Sequence, residues 1–151
     1  ERVLKDGLTL VDGILQNYKM KIVFESDLPP QRLRNFISNF SPEYYGINYD
    51  IGNSAYLGYD SEEEIKTYGS RIFNVHIKDR LIHGTTVPLG SGNANIPKVL
   101  KMLNSINYGG NYVLQTARAT DTNHEGVLCE YRDQVIKWME EVSLVNELRI
   151  K

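Results

Sequence analysis

Arg71-Ile72-Phe73-Asn74-Val75-His76-Ile77 reads as a β-strand that ends on a chemically useful side chain. Side chains alternate across a strand, so Phe73, Val75 and Ile77 share one bulky apolar face and oppose Ile72, Asn74 and His76. Three other segments repeat this plan. In Lys21-Ile22-Val23-Phe24-Glu25, Ile22 and Phe24 oppose Val23 and Glu25. From Tyr44 to Asp50, Tyr45, Ile47 and Tyr49 oppose Gly46, Asn48 and Asp50. From Asn111 to Ala117, Tyr112 and Leu114 oppose Val113 and Gln115. Each strand thus has one apolar face. The other face is smaller or more polar and ends in Glu, Asp, His or Gln.

Helical patterns separate the strands. The first carries Val3, Leu4, Leu8, Leu10, Val11, Ile14 and Leu15. Gln31 to Phe40 places Leu33, Phe36, Ile37 and Phe40 on one face. Ser61 is the expected N-cap of a helix whose acids, Glu62, Glu63 and Glu64, form a solvated first turn. Ile96 to Ile106 tolerates Pro97 in its first turn, and Gly126 to about Asn146 is a long closing helix with Val135, Trp138 and Met139 in the core. Loops are expected from Ser26 to Pro30, after Asp50, and from Asp79 to about Asn95. Strict alternation of helix and strand implies a parallel sheet with right-handed crossovers. An open sheet covered on both sides needs apolar residues on both faces. A barrel does not, near the end where its pocket opens. The expected fold is therefore half of a (β/α)8 TIM barrel, a single α/β domain over residues 1–151 with four parallel βα units preceded by a helix. A full barrel takes about 250 residues, so either an upstream N-terminal half is missing or half-barrels associate as a homo-oligomer.

The composition excludes several classes. The chain has 151 residues, a net charge of -2 and a lone cysteine, Cys129. That rules out an internal disulfide or a cysteine-based zinc site and makes a reducing, cytoplasmic setting the default. Cys129 is expected to be buried and inert. No apolar run approaches the ~20 residues that span a membrane. A slightly acidic balance argues against nucleic acid as a partner. No glycine-rich phosphate loop follows the first strand.

The strand ends are evenly spaced: Glu25 to Asp50 is 25 residues and Asp50 to His76 is 26, one βα unit per step. Neighbouring parallel strands lie ~4.8 Å apart, so these side chains can converge. Glu, Asp and His together suit a divalent metal ion, Mn²⁺, Zn²⁺, Co²⁺ or Mg²⁺, with positions left for substrate oxygens. A lone acid at a strand end is more often a helix cap, and a lone strand histidine a satisfied core group; three in one phase on successive strands are harder to assign that way. Lys78 shares the parity of His76 and either stabilises an oxyanion or substrate phosphate or is simply solvated. Asp79 is expected to orient Lys78 or a ligand. Arg80, His83 and Arg118 are candidates for phosphate contacts. Asn53 either binds a substrate hydroxyl or caps a turn, and Tyr56 and Tyr59 either stack on a sugar or cover the loop. His124 is expected at the surface.

The stretch from Ile22 to Arg118 resembles the C-terminal half of the xylose-isomerase-like barrels, a family that includes sugar-phosphate isomerases and epimerases. The resemblance rests on Phe24-Glu25, Asp50-Ile51-Gly52-Asn53, Val75-His76-Ile77-Lys78-Asp79, Pro88-Leu89-Gly90-Ser91-Gly92 and Tyr108-Gly109-Gly110. It implies a sugar or sugar-phosphate substrate and Glu25, Asp50 and His76 as metal ligands. The family's fourth ligand is a glutamate; here Gln115 stands in its place. Gln115 can offer an amide oxygen but cannot act as a base, which weakens a two-carboxylate epimerisation. A one-base aldose–ketose isomerisation through an enediolate remains compatible, with Glu25 as base. So does a degenerate, non-catalytic barrel. A nuclease resembling endonuclease IV is a third reading, disfavoured by the few histidines and the absence of a basic surface.

Overall fold

A computed structural model describes the backbone of residues 2–149, with side chains described for residues 3–143. Four parallel strands form the sheet: β1 (Ile22–Phe24), β2 (Tyr45–Asp50), β3 (Ile72–Ile77) and β6 (Asn111–Leu114), in the spatial order β1-β2-β3-β6. Spatial order follows chain order without reversal. A doubly wound sheet reverses its order at a switch point; a barrel does not. The connecting helices are α3 (Pro30–Ile37), α4 (Ile51–Leu57), α5 (Ser61–Tyr68) and α6 (Ile96–Ser105). Two short helices, α1 (Arg2–Thr9) and α2 (Asp12–Tyr18), precede the sheet, and α7 (His124–Arg149) follows it. The architecture is a half-barrel. No helix among the described residues is long and apolar enough to cross a membrane.

The outer face of the sheet carries the core. Tyr45, Ile47, Tyr49, Ile72, Val75 and Ile77 are buried there, against Leu33, Ile37, Ile65, Val99 and Leu103 from the helices. At one corner Phe24, Phe36, Phe40 and Tyr45 pack ring on ring, with centroids 5.1 to 6.2 Å apart. Such contacts add to the burial of apolar area. The inner face is less covered: Val23 and Val113, on the two edge strands, are 40% and 43% exposed.

Four expectations from the sequence are corrected. First, β3 does not keep one phase. Ile72 pairs with Ile47 and Asn74 with Asn48, with a register shift between Ile47 and Asn48. The extra residue is Phe73. This bulge puts Ile72 on the outer face and brings Phe73 inward over Gly46, where a side chain on residue 46 would overlap its ring. Second, residues after Asp50 form α4 rather than a loop. Third, the cap of α5 is Asp60, not Ser61; its carboxylate accepts from the amides of Glu62 and Glu63, which hold its pKa down. Glu64 in the same turn is buried rather than solvated. Fourth, Cys129 is exposed, while His124 is exposed as expected. The first helical pattern also breaks into α1 and α2, and the 79–95 segment holds a small antiparallel pair, β4 (Asp79–Arg80) with β5 (Thr86–Val87).

Candidate metal centre

The C-terminal strand ends bring Glu25, Asp50 and His76 together. One ligand atom from each lies within 4.8 Å of the others. His76 Nδ1 is 3.6 Å from Glu25 Oε2 and 3.7 Å from Asp50 Oδ2. Ligands 2.0–2.2 Å from one ion stand roughly 3–3.6 Å apart, so the two His76 contacts lie close to the spacing that one divalent cation would need. The parallel register accounts for the convergence. Asp50 pairs directly with His76, and Glu25 follows Phe24, which pairs with Ile47. The Glu25 side chain is 44% exposed, that of His76 20% and that of Asp50 2%.

Asp50 divides its oxygens between two tasks. Oδ1 accepts the amide of Asn53 at 2.8 Å, capping α4. Oδ2 faces His76 and the ammonium of Lys78, 3.3 Å away. Lys78 Nζ also donates to Asn53 Oδ1 at 3.3 Å and to Gln115 Oε1 at 2.9 Å. Gln115 thus reaches the centre through Lys78. Asn53 completes a bridge, since its Nδ2 donates to Glu25 Oε1 at 3.1 Å.

Two residues not expected in the site also belong to it. Asn48 Nδ2 donates to Glu25 Oε2 at 2.6 Å and lies 3.2 and 3.3 Å from the two ring nitrogens of His76. Asn74 Nδ2 donates to Asn48 Oδ1 at 2.7 Å and fixes that amide. Both stand one inward step below a ligand, at positions 50−2 and 76−2. That parity was the signal available in the sequence. Such supporting partners orient ligands and tune their affinity.

The remaining candidates divide. Asp79 is 1% exposed. Its carboxylate accepts the amides of Gly90, Gly92 and Ala94, which folds the 79–95 segment back on the strand end. A Cβ on Gly92 would strike Asp79 and the Arg80 carbonyl. The Lys-Asp and Leu-Gly-x-Gly elements are therefore two sides of one contact. Arg80 lies over the Tyr56 ring at 4.0 Å and donates to Asn53 Oδ1 and the Gly84 carbonyl. His83 is exposed and stands edge-on to Tyr56. Tyr59 donates to the Asp27 carbonyl and so closes the loop after β1. Arg118 is exposed beyond β6. A recess of about 710 Å³ lies at the opposite end of the strands around Phe73, Tyr108 and Gly110, away from this chemistry.

A family model described as a xylose isomerase-like TIM barrel matches residues 2–141. The chain belongs to that family. An uncharacterised protein of Methanocaldococcus jannaschii, MJ1311, is 25% identical over 93% of this chain, and the chain spans about half (52%) of that curated relative's length. Among solved structures, a xylose isomerase domain protein from Planctomyces limnophilus superposes with a TM-score of 0.78 at 21% identity, over 94% of this chain and 53% of that one. A D-tagatose 3-epimerase-like protein does so with 0.65 at 25% identity, over 88% and 54%. The IOLI protein, solved with a bound zinc atom, gives 0.71 at 18% identity, over 91% and 55%. These likenesses agree with the half-barrel read from the strand order.

Proposed function

We propose that this half-barrel carries the metal-binding wall of an isomerase or epimerase acting on a sugar or sugar phosphate. The observation that carries the reading is the convergence of Glu25, Asp50 and His76 within 4.8 Å on three successive strand ends. Membership of the xylose isomerase-like family and the epimerase-like structural relative support the substrate class. A second half, upstream in the same protein or from another copy, closes the barrel and the pocket.

Glu25, Asp50 and His76 would hold the divalent ion, and the Gln115 amide oxygen, which here accepts from Lys78, would be its fourth donor. Bound there, the ion supplies Lewis acidity toward a carbonyl oxygen and its neighbouring hydroxyl. The chain's own residues do the rest. Glu25 sits at the open rim with Asn48 on one oxygen and Asn53 on the other. It would remove the proton beside the carbonyl and return it to the former carbonyl carbon, while the neighbouring hydroxyl passes its proton to the former carbonyl oxygen. Lys78 presents its ammonium to oxygens of the substrate, and Asn53 holds Glu25 and Lys78 in fixed relation. Arg80, pinned on Tyr56, orients Asn53 rather than reaching out. His83 and Arg118, exposed at the rim, are the residues left to meet a phosphate.

The test is solvent deuterium incorporation into a panel of ketoses and ketose phosphates, using the complete protein loaded with Mn²⁺. Deuterium should enter carbon next to the carbonyl and should vanish in Glu25→Gln. Gln115 favours a second reading, a binding barrel without turnover. Metal retention with no exchange on any sugar would select that second reading over the first.

A further inference from the structure

Lys78 places a cation inside the candidate metal centre. Its ammonium touches one metal-facing oxygen, Asp50 Oδ2 at 3.3 Å, and the fourth-position amide oxygen, Gln115 Oε1 at 2.9 Å. Among the described residues, the carboxylate it pairs with is the one the metal would use. The placement is built in. The Lys78 stem runs across Gly52, and a Cβ at residue 52 would come within 2.6 Å of Lys78 Cγ and 2.9 Å of its Cβ and Cδ. Glycine at that position leaves the channel through which the lysine enters. Asn53 Oδ1, taken also by Arg80, holds the head of the side chain from the other side. The side chain is 15% exposed, so solvent screens its charge only in part.

We propose that Lys78 is a tethered counter-cation that competes with the divalent ion and sets how weakly this centre holds it. The ammonium neutralises Asp50 and occupies Gln115 while the ion is absent. An incoming ion must share Asp50 Oδ2 with a fixed positive charge or displace it. Gly52 serves this arrangement by admitting the lysine stem. The inference rests on the metal-centre reading and extends it to the strength and exchange of the ion.

The experiment measures Mn²⁺ and Zn²⁺ dissociation constants by competition with a chromophoric chelator, using the complete protein at fixed pH and ionic strength. Wild type, His76→Ala, Lys78→Met and Gly52→Ala are compared, with circular dichroism to establish that each is folded. Lys78→Met should bind at least about ten-fold tighter, the scale for removing one unit charge a few ångströms from a divalent ion. Gly52→Ala keeps the charge but blocks the channel, and should shift affinity in the same direction by less. If His76→Ala loses the ion while both other variants bind as wild type or more weakly, the counter-cation role is overturned and the metal centre stands. If His76→Ala binds as wild type does, the metal centre itself is overturned.

Discussion

Asp50 and Glu64 are both sealed from solvent, 4% and 2% exposed, and they serve opposite sides of β2. Asp50 points inward, to a backbone amide, a histidine and an ammonium. Glu64 lies beneath the outer face, where the hydroxyls of Tyr49, Ser54 and Tyr68 donate to it at 2.9, 2.7 and 2.7 Å. No cation reaches it in these contacts. Burial pushes its carboxyl up, and the three hydroxyls oppose that rise. Burial, and after it the neighbouring carboxylate, pushes the Tyr49 and Tyr68 phenols upward. Burial is therefore no guide to function on its own. What separates the two acids is their partners: Asp50 turns one oxygen toward a histidine and an ammonium beside a second carboxylate, whereas Glu64 is held by three hydroxyls. Glu64 ties α5 to β2 and α4, and so steadies the frame on which Asp50 stands.

The largest effect should separate the two acids by metal affinity. Asp50→Asn or His76→Ala should weaken Mn²⁺ binding by more than the roughly 100-fold typical of losing a supporting partner, measured by chelator competition. Glu64→Ala should leave that affinity unchanged. The order should reverse for stability. Glu64→Ala strands three buried hydroxyls and should cost about 3 kcal/mol in urea unfolding. If Glu64→Ala instead abolished metal binding in a folded protein, the division between the two sides of β2 would be lost.

A smaller effect concerns pH. The Glu64 carboxyl titrates higher folded than unfolded, because burial disfavours its charge. Such a group contributes stability below its unfolded pKa and loses that contribution as pH rises through its folded pKa. Wild type should therefore lose stability relative to Glu64→Gln as pH climbs through and above the carboxylate range, with the gap levelling once Glu64 is ionised. Equal unfolding midpoints for the two proteins at every pH would contradict the upward shift.

This contrast also marks what could be read from the sequence. Glu25, Asp50 and His76 were legible because a two-residue period and a βα spacing of 25 and 26 residues place them at equivalent positions on parallel strands, and hydrogen-bonded register does the rest. Asn48 and Asn74 obeyed the same parity but lacked a charge to mark them. Glu64 was misread because acids in a first helical turn are usually solvated; only the tertiary placement of Tyr49, Ser54 and Tyr68 reveals its burial. The bulge at Phe73 depends on Gly46 in a neighbouring strand, a contact that no local pattern encodes. Helix α4 was hidden by its glycine and tyrosine, though Asp50 at its start is a strong cap. Asp79 looked like a site residue because it follows Lys78. Its amide partners lie 11 to 15 residues downstream.

The smallest predicted effect tests whether Asp50 truly divides its oxygens. Asn at a helix N-cap serves nearly as well as Asp, whereas Ala does not. Asp50→Asn and Asp50→Ala both remove the charge from His76 and Lys78, so both should forfeit the ion. Only Asp50→Ala also removes the acceptor for the Asn53 amide. It should therefore unfold about 1 kcal/mol more easily than Asp50→Asn, the usual worth of a cap. The comparison is between two variants with the same loss of charge, so the difference reports the cap alone. Equal stabilities would mean that Oδ1 contributes nothing to α4 and that Asp50 is held in place by the ligand side only. A gap without any difference in metal affinity between the two would show that the capping oxygen and the ligand oxygen act independently within one carboxylate.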